Sequence, residues 1–110
     1  MDKYYKLDEN KNPVPCSIEE YASDHEDFEK RKRVGREKYK GYDISTVFLG
    51  LNHDSGGESP KPIVFETMVF GDLMNDDEYQ TRCCTWVEAL GMHQKAKNWV
   101  DKRLEVGGEK

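Results

Sequence analysis

The chain has 110 residues, with 17 Lys and Arg against 22 Asp and Glu and a formal net charge of −5 at pH 7. That length is one domain's worth of material and excludes two cofactor-binding halves. The acidic balance disfavours a non-specific grip on nucleic acid, which needs a concentrated basic surface, and the 11% aromatic content argues against disorder throughout.

The N-terminal Tyr4-Tyr5-Lys6-Leu7-Asp8 is short and aromatic and predicts an edge strand. Asp8 to Pro13 has turn composition. Val14-Pro15-Cys16 returns as a brief extended segment, and Pro13 and Pro15 confine it to an edge. Ser17-Ile18-Glu19-Glu20 has the spacing of a capping box. The helix it opens carries Ile18, Tyr21, Ala22, His25 and Phe28 on one face.

Residues 29–40 hold the basic cluster Lys30, Arg31, Lys32, Arg33 and Arg36, with Lys38 and Lys40. An irregular strand or an ordered loop fits this composition, and a strand over Arg33–Tyr39 is the preferred reading. Tyr42 to Leu51 is the strongest β signal, rich in branched and aromatic side chains. A polar connector with Gly56, Gly57 and Pro60 follows, and then a second clear strand over Ile63–Phe70. The connector is too short for a helical crossover, so the two strands form a long-looped antiparallel hairpin. Tyr79–Cys84 is a third central strand.

Thr85-Trp86-Val87-Glu88 is a second capping box. The helix beyond it repeats Trp86, Ala89, Leu90, His93, Ala96 and Val100 on one face, with Trp99 offset. This helix is expected to be the main structural clamp, with Trp86 buried against Phe48 or Phe65 and Trp99 more exposed. The whole reads as one domain over residues 1–110 with a frayed tail at 105–110. The expected fold class is α+β, a single antiparallel sheet with two helices packed on one face.

Cys16, Cys83 and Cys84 are odd in number and include an adjacent pair, a poor disulfide framework. They read as reduced thiols of a cytoplasmic protein. No run approaches the length of a membrane span, and Met1 to Tyr5 has no signal-peptide character. No cofactor motif is present, and none is expected.

Four constellations are candidates for function. His53 and Asp54 lie in a Gly-rich loop after a strong strand, where a metal ion or a general base is chemically reasonable. Ordinary loop structure is the preferred reading. His93, and likewise His25, sits on an apolar helix face, as a core histidine or as a partner for Cys84 or Cys16. Glu66, Met68 and Phe70 share one face of a strand. If helices cover the Phe65 face, they form an exposed acid–apolar surface for a protein partner. The basic cluster with Tyr39 and Tyr42 suits nucleic acid, but Asp24, Glu26, Asp27, Glu29 and Glu37 interrupt it.

Ser45–His53, Phe65–Gly71 and Thr85–Leu90 leading to His93, together with Tyr4–Asp8 and Pro13–Pro15, resemble small uncharacterised accessory proteins encoded by bacteriophages and prophages. The resemblance covers most of the chain, least at residues 24–40. It implies a phage accessory or early protein in the host cytoplasm and transfers no catalytic residue. The leading expectation is a non-enzymatic protein that binds a host or phage protein. The alternatives are a small metal-dependent or hydrolytic enzyme using His53 and Asp54, and a nucleic-acid binder using residues 30–40.

Overall fold

The computed structural model of the chain describes residues 3–24, 33–54, 60–71 and 79–108. Its elements run β1 (Tyr5–Leu7), β2 (Pro13–Pro15), α1 (Ile18–Asp24), β3 (Arg33–Tyr39), β4 (Tyr42–Phe48), β5 (Phe65–Gly71), β6 (Tyr79–Cys83) and α2 (Trp86–Gly108). The class is α+β, as expected. No described helix is long and apolar enough to cross a membrane.

Two sheets replace the expected single one: a β1–β2 hairpin and a four-stranded antiparallel meander in the order β3-β4-β5-β6. The split has a local cause. Gly50 adopts φ +76°, a conformation that suits glycine, and interrupts the regular ladder after Phe48. Pairing resumes beyond it. The Tyr5 N–H donates to Gly50 O at 2.8 Å, the Asn52 N–H donates to Lys3 O at 3.0 Å, and Tyr4 bridges Leu51. β1 and β3 therefore occupy the same side of one long backbone run, on either side of a kink.

The turns follow local chemistry. Asp8 Oδ1 accepts from the N–H groups of Asn10 and Asn12 at 2.8 and 2.9 Å and closes the first hairpin. Lys40 and Gly41, both at positive φ, make the two-residue turn between β3 and β4. That geometry matches the right-handed twist of the strands. Both N-caps form, and at Ser17 the box is reciprocal, with the Ser17 N–H donating to Glu20 Oε1 at 3.3 Å, whereas Glu88 Oε1 accepts from the Thr85 hydroxyl at 3.0 Å. Thr85 Oγ1 accepts from the Glu88 N–H at 3.1 Å, and Ser17 Oγ from the Glu20 N–H at 3.1 Å.

The two helices do not share a face of the main sheet. α2 packs across all four strands of the meander, whereas α1 packs beside β1. Within α1, Ile18 and Ala22 are exposed and Tyr21 is half-buried, its ring 5.1 Å from that of Tyr4. The expected continuation to His25 and Phe28 lies outside the described residues. α2 runs to Gly108, so it includes the first residues of the 105–110 tail.

α2 buries Ala89, Met92, Ala96 and Val100. Leu90, expected on this face, is half exposed, and Met92 takes a buried place instead. The small side chains of Ala89 and Ala96 allow the closest approach to the sheet and so set the centre of the face. Leu90 then falls about a quarter-turn off it. Opposite them, Ile44, Thr46 and Phe48 of β4 and Phe65, Thr67 and Val69 of β5 are all buried, the period of two expected of half-covered strands. Each large apolar side chain so buried is worth about 1.5–3 kcal/mol.

The core divides into two apolar clusters. One gathers Tyr5, Phe48, Val64, Phe65, Ala89 and Met92, with Trp86 against it. The other gathers Ile44, Val69, Ala96 and Val100, with Trp99 against it. Trp86 meets Phe65 edge-on at 6.2 Å, as expected of its sheet-side neighbour. It is nevertheless only half-buried, and so is Trp99. Each indole closes one end of the helix–sheet interface, so the helix is anchored by both tryptophans rather than by a buried Trp86 alone.

Candidate functional site

Between the two clusters runs a polar row. The strand register aligns Gly35, Thr46, Thr67 and Thr81 across β3 to β6, on the face that α2 covers. The Thr46 and Thr67 hydroxyls lie 2.6 Å apart, and Thr46 Oγ1 lies 2.7 Å from His93 Nδ1. His93 Nε2 lies 2.9 Å from Glu37 Oε1, and Lys97 Nζ stands 3.6 Å from the same oxygen. The Glu37 carboxylate only accepts, so Nε2 is the donor to it and the matching ring tautomer is Nε2–H. Nδ1 then accepts from Thr46, whose oxygen accepts in turn from Thr67. The bond from His93, joined by the charge of Lys97, holds the Glu37 carboxyl below its usual range.

A hydroxyl, an imidazole and a carboxylate in this order form the constellation of nucleophilic catalysis. Here Thr46 is fully buried and its hydroxyl is shared with Thr67 and His93. The chain therefore satisfies polar groups in the interior, each of which would cost about 1–3 kcal/mol if left alone. The Thr81 hydroxyl, at the end of the row, is the one buried side-chain oxygen without a partner among the described residues. Sequence reading singled out His93 but paired it with a cysteine, and it missed the threonines. Their signal was three threonines at matching register positions on three neighbouring strands, visible only once the register is known.

The other candidates stay apart. His53 is exposed and Asp54 half-buried. Their loop is held by Asn52 Oδ1, which accepts from the N–H groups of Asp54 and Ile63 at 3.0 Å each. Both ring nitrogens of His93 are engaged elsewhere, so His93 does not converge on His53; His25 lies outside the described residues. No group of three or more metal-ligating side chains occurs among the described residues. Cys16, Cys83 and Cys84 form no disulfide among the described residues. Burial pushes the Cys83 thiol up to about 11, which makes it a poor nucleophile.

Glu66, Met68 and Phe70 do point away from α2. Glu66 is not a free acid: its Oε2 accepts from Gln80 Nε2 at 2.6 Å and from Arg82 Nε at 2.9 Å. Met68 is half-buried and Phe70 is 49% exposed. Of the basic cluster, Lys30, Arg31 and Lys32 lie outside the described residues. Arg33 and Arg36 are exposed on β3, and the register sets them opposite Val47 and Ser45, on the same uncovered face.

No protein-family model matches the chain, and no curated protein or solved structure is significantly similar to it.

Proposed function

We propose that this chain is a non-enzymatic accessory protein that acts in the cytoplasm by binding another protein through the uncovered face of its four-stranded sheet. The carrying observation is Phe70, 49% exposed at the second-to-last position of β5, with Met68 on the same face. An antiparallel sheet with one solvated face ordinarily alternates apolar inward and polar outward. β5 breaks that alternation twice with apolar side chains, which suits a protein interface better than a solvated surface. The resemblance to small phage-encoded accessory proteins points the same way, to a partner of host or phage origin. The polar row beneath α2 is interior structure on this reading.

The test is affinity capture from a lysate of the native host with the unaltered chain and with Phe70→Asp at matched melting temperature. The expected result is a protein retained by the first and lost by the second. Retention of the same proteins by both overturns the reading, as does capture of nucleic acid alone.

A further inference from the structure

Resting on that reading, the register of the sheet defines the chemistry of the partner. Two adjacent rows of the uncovered face repeat one pattern. In one, Arg36 on β3 is followed by Ser45 and then Met68; in the next, Lys38 is followed by Asp43 and then Phe70. Each row carries a cation on β3 and an apolar side chain two strands away. Arg36 and Lys38 are both exposed, and neither side chain has a hydrogen-bond or ion-pair partner among the described residues. Of the neighbouring acids, Glu66 is committed to Gln80 and Arg82, and Asp43, opposite Lys38 in the register, makes no ion pair with it; the face keeps the two β3 cations with one uncommitted acid between them.

We infer that the occupant of this face is an acidic amphipathic helix lying along the strands. Successive same-face residues on a strand are about 6.8 Å apart, and helix residues four apart rise about 6 Å. Apolar side chains at i and i+4 therefore fall over Met68 and Phe70 together. Cation and apolar group are separated by two strand spacings, about 9.6 Å. A helix seated over Met68 and Phe70 brings its flank about 5 Å of that way, and the long Arg36 and Lys38 side chains span the rest to carboxylates there. The charge complementarity holds although the chain as a whole is acidic, which disfavours a second copy as the occupant.

The probe is a synthetic helix of about four turns built from Glu, Leu and Ala, with Leu at i, i+4 spacing and Glu on one flank. Its counterpart carries Gln for Glu. Binding is read from backbone amide shifts of the full chain. The acidic helix is expected to bind at least about tenfold more tightly than its Gln counterpart, with shifts centred on Arg36, Lys38, Met68 and Phe70. The double variant Arg36→Glu with Lys38→Glu, at unchanged melting temperature, should lose that preference. Equal binding of the two peptides, or no binding by either, overturns the acidic-helix inference and leaves the capture result with Phe70→Asp to stand by itself. A single-stranded oligonucleotide that binds more tightly than the peptide and produces the same shifts also overturns it.

Discussion

His93 lies directly over Gly35: a Cβ placed on Gly35 would sit 3.4 Å from His93 Cε1. The glycine within β3 is thus the floor on which the imidazole rests, and it gives the ring its place between Thr46 and Glu37. A single methyl reaches ordinary contact distance, whereas a branched side chain does not fit. Gly35→Ala should change stability by less than about 1 kcal/mol, helped by a less flexible unfolded chain. Gly35→Val should cost about 1–3 kcal/mol through overpacking. Denaturant melts giving equal losses for the two variants would contradict this contact.

Thr46 is the junction of the buried chain, since its hydroxyl meets both Thr67 and His93. Thr46→Val leaves His93 Nδ1 without its donor and should cost about 1–3 kcal/mol. Thr67→Val removes only the end of the chain and should cost less. The two residues are in contact, so the double variant should lose less than the sum of the single losses. Nitrogen chemical shifts of the ring should report the proton on Nε2 at neutral pH. A proton on Nδ1 would reverse the assigned direction of the chain.

The hydrogen bond from His93 and the charge of Lys97 lower the Glu37 carboxyl in the folded chain, and bonds from Lys40 and Tyr39 do the same for Asp101. A carboxyl with a lower pKa folded than unfolded adds stability above its ordinary range, and that contribution disappears as pH falls through the folded value. Stability should therefore decline on acidification from about pH 5 downward. Glu37→Gln keeps an acceptor for His93 but does not titrate. It should flatten the plot of melting temperature against pH, and superimposable slopes for the two proteins would show that Glu37 has no such linkage.

Trp86 and Trp99 serve different clusters. Trp86 packs on Phe65 with Lys11 Nζ 4.4 Å from its ring centre, and Trp99 packs on Tyr79 at 5.0 Å with Arg103 on its ring. Both are half-buried. Each change to alanine should cost about 2–3 kcal/mol, below the range for a fully buried indole. The two losses should add, because the rings share no partner. Paired melts showing one loss several times the other would contradict an even division between the two tryptophans.

Local chemistry settled much of this protein in advance. Ser17 and Thr85 stand three residues before a glutamate, and a capping box needs only that spacing, so both helix starts were legible. The branched residues of β4 and β5 and the odd–even pattern around Phe65 announced an antiparallel pair with Glu66, Met68 and Phe70 on its second face. Contacts between distant segments were another matter. Leu90 reads as apolar and periodic, yet the approach of Ala89 and Ala96 to the sheet turned it outward and drew Met92 in. Gly50 reads as one glycine in a strand, and only its positive φ split the sheet in two. His93 found Thr46 and Glu37, 47 and 56 residues away in the chain, because strand register and helix placement bring them together. Periodicity records which face of an element is apolar; which polar groups meet inside depends on how those faces are set against one another.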